Sequence, residues 1–118
     1  MPFRRFFQRF TETDEERLAA EIREWSESVP GSVRIANCHL REPVKVAGAV
    51  RRITVRTGEG FDSLVALVSD GTGEVRAAWM GRRSIPGLTL GTRIVLEGTI
   101  GEERGVRKMV NPRLEFSA

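Results

Sequence analysis

The sequence predicts an all-β domain, five strands rolled into a small Greek-key barrel, behind an N-terminal helical arm. Three observations point there. The hydrophobic period changes from helical to two near residue 44, short apolar runs then recur between turn signals, and the chain carries 12 glycines and 5 prolines, many between those runs. At 118 residues there is room for one domain and a short appendage, read as residues 1–30 for the arm and 31–118 for the barrel. With 40% apolar and 30% charged residues, the composition is that of a folded globular chain.

The arm has two parts. In F-R-R-F-F-Q-R-F, Phe3, Phe6, Phe7 and Phe10 fall on one side of a helix, opposite Arg4, Arg5 and Arg9. Such a stripe is expected to dock on the barrel, on a protein partner or on a second copy of the chain. Membrane attachment is not expected, because two turns anchor weakly, and nothing approaches the length of a membrane span. A second helical segment is expected from Thr13, where Thr13 and Glu16 form a capping-box pattern. Its apolar stripe, Leu18, Ile22, Trp25 and Val29, is expected to face the core, and Pro30-Gly31 ends it.

The barrel follows. Val44, Val46, Gly48 and Val50 alternate with Lys45, Ala47, Ala49 and Arg51, after which the apolar phase slips to Ile53 and Val55. A bulge near Arg51-Arg52 in one long, bent strand produces that slip. A second strand is expected over Ser63–Ser69, then a tight turn at Asp70-Gly71-Thr72-Gly73, then strands at Glu74–Met80 and Thr92–Thr99. The last runs from Val106 to about Phe116, interrupted by Asn111-Pro112. Between the third and fourth, G-R-R-S-I-P-G-L-T-L-G holds too much glycine and proline for a helix and is expected to be a loop or a single turn.

Catalytic parts are scarce. Cys38 and His39 are the only cysteine and histidine, adjacent in sequence and without further ligand spacing, so neither a nucleophile nor a metal site is expected. No glycine-rich stretch carries the lysine of a phosphate-cradling loop. The chain is therefore read as a non-enzyme that needs no cofactor and no metal. A lone cysteine suits a reducing cytoplasm.

Charge is unevenly spread. Residues 1–10 carry three bases and no acid, residues 11–30 seven acids against two bases, and residues 31–118 fourteen bases against nine acids. Seventeen of the 19 bases are arginine, which suits phosphate contact but also follows from a GC-rich genome. A basic barrel with an acidic helix set aside favours an anionic ligand. In small barrels, single-stranded nucleic acid crosses the second and third strands between two loops. The first loop offers Phe61. The second offers Arg104, followed by Arg107 and Lys108. Arg76 lies on the third strand, and Arg51, Arg52, Arg56, Arg82 and Arg83 are further phosphate contacts. Arg76 and Trp79 differ in parity, so Trp79 belongs in the core and Met80 outside if Arg76 faces solvent, and the surface is then poor in aromatics. Binding led by the backbone, with weak sequence preference, is the expectation. The alternative is a barrel that acts as a protein adaptor or self-associating module.

The stretches V-K-V-A-G-A-V at 44–50, L-V-A-L-V-S-D-G-T-G at 64–73, L-G-T-R-I-V-L-E-G-T-I at 90–100 and M-V-N-P-R-L-E-F at 109–116 resemble the OB-fold nucleic-acid-binding family. That family includes the anticodon-binding domains of aminoacyl-tRNA synthetases and the wedge domain of the fork-remodelling DNA helicase. With W-M-G-R-R-S-I-P-G at 79–87, the chain is also similar to small stand-alone OB proteins of high-GC Gram-positive bacteria. The resemblance implies a five-stranded OB barrel that binds DNA or RNA, and it implies no catalytic residues.

Overall fold

The structure, a computed structural model, describes residues 2–58 and 60–117, with side chains described from Asp14 onward. The Phe3, Phe6, Phe7 and Phe10 stripe lies outside the described side chains. Helix α1 (Pro2–Ser28) runs through Thr13 without a break, so the capping-box pattern does not start a second helix. Its C-terminal end is fixed locally. The Ser32 hydroxyl donates to the Ser26 carbonyl (2.6 Å), and Gly31 takes φ +81. The apolar stripe is not core. Leu18 is 63% exposed, and Ile22, Trp25 and Val29 are only half-buried. Trp25 instead carries the Arg93 guanidinium over its ring, 5.4 Å from the centroid, a cation–π contact that holds α1 to the sheet.

Strand β1 (Pro43–Thr57) is the long bent strand. Its first half pairs antiparallel with β4 (Arg93–Thr99) and its second half with β2 (Asp62–Ser69). The register shifts between Val50 and Arg52, which is the expected bulge. Gly48 makes the bend possible, since a Cβ there would stand 2.6 Å from the Ser69 carbonyl oxygen and 2.9 Å from Val68 Cγ1. Gly48→Ala is expected to destabilise the fold by about 1–3 kcal/mol through overpacking. Urea unfolding measures it, and a loss below about 0.5 kcal/mol, the size of an ordinary surface change, would contradict that account.

Strand β3 (Glu74–Met80) pairs antiparallel with β2 and in parallel with β6 (Val106–Val110). A short strand, β5 (Gly101–Glu103), makes a hairpin with β6, and β7 (Arg113–Phe116) pairs antiparallel with β4. All seven belong to one sheet, in the order β5-β6-β3-β2-β1-β4-β7. This corrects the expected closed barrel of five strands: two extra strands are present, and among the described residues no ladder joins the two flanks of the sheet.

The expected last strand is split in two, for local reasons. Asn111 takes φ +50, a left-handed conformation that asparagine tolerates. Its N–H donates to the Ala78 carbonyl (2.7 Å), while its Oδ1 accepts the Met80 N–H (2.9 Å). Pro112, buried and lacking an N–H, cannot extend a ladder. Its carbonyl accepts the Trp79 indole N–H at 3.0 Å. Only Asn111 and Pro112 separate β6, attached to β3, from β7, attached to β4. The chain itself therefore spans the flanks that no ladder closes.

One apolar core fills the curled sheet, built from Val46, Val50, Leu64, Val68, Ile94, Leu96, Ile100 and Met109, with Trp79 8% exposed among them. Residues 81–92 hold no helix and fold as turns, and Leu88 plugs the core from within them. At the β2–β3 turn, Asp70 is 1% exposed and accepts four hydrogen bonds. These come from Ile35 N–H (2.8 Å), Thr72 N–H (2.9 Å), Thr72 hydroxyl (2.6 Å) and Gly73 N–H (3.1 Å).

Candidate nucleic-acid interface

Past the bulge, alternation points Arg52, Thr54 and Arg56 to one side of β1, while Ile53 packs against the core on the other. Ladder register then continues the basic face across the sheet. Arg52 stands opposite Leu67, Leu67 opposite Arg76, and Arg76 opposite Lys108. Paired residues share a face, so this is one transverse row over four strands, about 14 Å long at the usual strand spacing. Arg56 heads a further row with Ser63 and Met80. The face is grooved in two adjoining places, one lined by Arg52, Thr54 and Leu67, the other by Glu103, Val106 and Lys108. Arg56, Val65 and Arg76 are common to both.

Four of the nine lining residues are basic and one, Glu103, is acidic. Among the described residues, no carboxylate lies within ion-pair distance of Arg52, Arg56 or Arg76. Lys108 differs, its Nζ donating to Glu103 Oε2 at 2.6 Å. That hydrogen bond and the Lys108 charge hold the Glu103 carboxyl below the usual carboxylate range, with smaller help from Arg56 and Arg104. Glu103 is placed there by the β5–β6 turn. Arg104 and Gly105 take φ +53 and +80, both positive, as the mirror-image two-residue hairpin turn requires.

The other expected site residues are distributed around this groove and away from it. Phe61, 49% exposed, sits in the β1–β2 loop, which closes by a Gly58 N–H bond to its carbonyl (2.9 Å). Arg83 pairs with Asp62 at 2.5 Å beside that loop, and Arg82 is exposed next to it. Arg104, at the hairpin tip, borders a separate depression with Leu40 and Arg41. Arg51 does not join the face. The bulge turns it into a groove between α1 and β1, with Leu18, Ala19 and Ile22. Arg107 has the parity of buried Met109, and its guanidinium donates to the Ala36 carbonyl (3.2 Å), bracing the short 3-10 turn Ile35–Asn37. Thr54, Val65, Leu67, Glu103 and Val106 also line the face, beyond the residues the sequence points to. Only the ladder register reveals them.

Elsewhere the chemistry is sparse. Among the described residues no cluster of three or more His, Cys, Asp or Glu side chains could hold a metal ion. Burial raises the Cys38 thiol pKa, opposed by the nearby Arg107 charge, so it is a poor nucleophile. His39 is exposed. No helix among the described residues is long and apolar enough to cross a membrane.

No family model matches the chain, and no curated protein matches it significantly. The fold is similar to that of a chain in the structure of a replication protein A heterotrimer bound to ssDNA. The TM-score is 0.51 at 13% identity, over 75% of this chain and 67% of that one. The likeness is one of fold. With the ladder order, it supports an OB-type β-fold carrying an N-terminal helix.

Proposed function

We propose that the chain is a non-catalytic binder of single-stranded nucleic acid that grips the sugar–phosphate backbone with weak sequence preference. The observation that carries this reading is the in-register row Arg52–Leu67–Arg76–Lys108, with Arg56 beside it, on one grooved face. Guanidinium groups that meet no carboxylate among the described residues are ready donors for phosphate oxygens. Phe61 at the rim is the one aromatic proposed to stack on a base. Arg82, Arg83 and Arg104 are proposed as outlying contacts along the path of the strand. The similarly folded chain belongs to a protein described as bound to ssDNA, which adds support from outside this molecule.

The test is a fluorescent oligonucleotide of mixed sequence titrated with the full chain over a range of salt. Single strands are expected to bind more tightly than the same duplex. The logarithm of affinity should fall against that of salt with a slope of roughly 2–3, as three or four phosphate contacts predict. Phe61→Ala is expected to cost roughly 1–3 kcal/mol with little change in slope. Failure to bind any oligonucleotide at low salt would defeat the proposal. The second reading, docking of a protein partner or a second copy, is favoured by the half-exposed apolar stripe of α1. It would then take precedence.

A further inference from the structure

We propose that Lys108, Arg56 and Arg76 form a phosphodiester-binding subsite, and that the Glu103 carboxylate sits in it as an internal stand-in which the ligand displaces. This rests on the nucleic-acid reading and adds a location and a guard to it.

Three features separate this arrangement from an incidental surface ion pair. The first is position. Glu103 and Lys108 meet inside the groove that also admits Arg56, from β1, and Arg76, from β3. Charge is the second, since among the described residues Glu103 is the one acid lining the groove, which it shares with Arg56, Arg76 and Lys108. The third is the way Glu103 is held. It lies on a three-residue strand next to a two-residue turn, opposite Val106, and that register puts it on the same face as Lys108, diagonally across the hairpin. A carboxylate accepts from an ammonium group through an anionic oxygen, as a phosphodiester does. The Glu103 side chain is 48% exposed, and exposed ion pairs are weak and screened by salt. A phosphodiester already held by Arg52 and Arg76 can therefore take its place. In the empty protein the carboxylate neutralises Lys108, which lowers the attraction of the site for small anions and for chains too short to reach Arg52.

The test compares the full-length protein with Glu103→Gln, Lys108→Ala and the double variant. Each is titrated against the same fluorescein-labelled mixed-sequence single strand over a salt series, and thermal melts verify folding. Glu103→Gln is expected to bind about three- to tenfold tighter at low salt, with a salt slope steeper by roughly 0.7–1 as Lys108 becomes free to meet phosphate. Lys108→Ala should cost little in the native background and abolish the gain in the Glu103→Gln background. Glu97→Gln changes the net charge equally at a site on β4, where Glu97 pairs with Lys45 and Arg113, and is expected to leave the slope unchanged.

An unchanged affinity in Glu103→Gln, an equal Lys108→Ala cost in both backgrounds, or an equal gain from Glu97→Gln would each overturn the guarded subsite. Glu103→Ala serves in the same way should the glutamine variant misfold. If native and Glu103→Gln proteins both fail to bind at low salt, the nucleic-acid reading itself has failed. That result differs from a native protein that binds and a Glu103→Gln protein that binds no better.

Discussion

Asp70→Ala is expected to lower the unfolding free energy by about 3 kcal/mol, the largest loss foreseen for any single polar side chain here. Asp70 is 1% exposed, and its two oxygens serve different parts of the fold. Oδ1 accepts the Thr72 N–H, the Thr72 hydroxyl and the Gly73 N–H, closing the β2–β3 turn, in which Gly71 takes φ +86. Oδ2 accepts the N–H of Ile35, a residue with no exposed surface, in the 3-10 turn that lies 35 positions away. Removing the carboxylate strands that N–H in the core, and a stranded buried donor costs about 1–3 kcal/mol by itself. Loss of the charge-assisted bonds to the turn adds to it. Thermal unfolding should fall by about 10–15 °C for a domain of this size. Asp70→Asn keeps one acceptor oxygen but turns an amide N–H₂ toward another donor, so an intermediate loss is expected. A melting temperature within about 2 °C of native for Asp70→Ala would show that the turn and the 3-10 segment are held by packing alone.

The parts of this molecule that were legible in the sequence are those whose cause is local. The phase slip from Val50 to Ile53 reported the bulge because period two cannot change faces without an extra residue. Asn111-Pro112 reported the broken strand because proline has no N–H to give a ladder. Parity ties Trp79 inside and Met80 outside to an Arg76 that faces solvent, and of those two alternatives the structure takes this one, with Trp79 8% and Met80 42% exposed. What failed depended on partners distant in sequence. The capping-box pattern at Thr13 and Glu16 is a local signal, yet the helical run before it overrides it. The stripe from Leu18 to Val29 has the right period for a core helix, but Leu18 lines an open groove between α1 and β1 and stays exposed. Arg51 and Arg52 are indistinguishable by type, and the bulge alone decides which joins the basic face. Lys108 and Arg107 are separated in the same way by strand parity. Glu103 is not legible from sequence, because the three-residue strand β5 that brings it to Lys108 is too short to show an alternating pattern.

That division between neighbouring arginines supplies the sharpest test of the groove. Arg52→Ala/Arg76→Ala is expected to weaken single-strand binding by about ten- to a hundredfold at low salt and to make the salt slope shallower by roughly 1.4, two phosphate contacts at about 0.7 each. The matched control, Arg51→Ala/Arg113→Ala, removes the same two charges from places off the row. Arg51 lies in the α1 groove, and Arg113, on β7, has a side chain 78% exposed. Neither guanidinium lies on the row, and at 0.1 M salt exposed charges outside the contact are strongly screened, so there the control is expected to stay within about threefold of native, with its slope little changed. Both pairs are surface changes, and both proteins should melt close to the native temperature. Arg51 and Arg52 are one residue apart, so a difference between the two variants must come from where the side chains point and cannot come from net charge. Equal weakening by the two pairs would mean that the ligand responds to the overall +3 of the chain, and the groove would lose its claim to be the binding site.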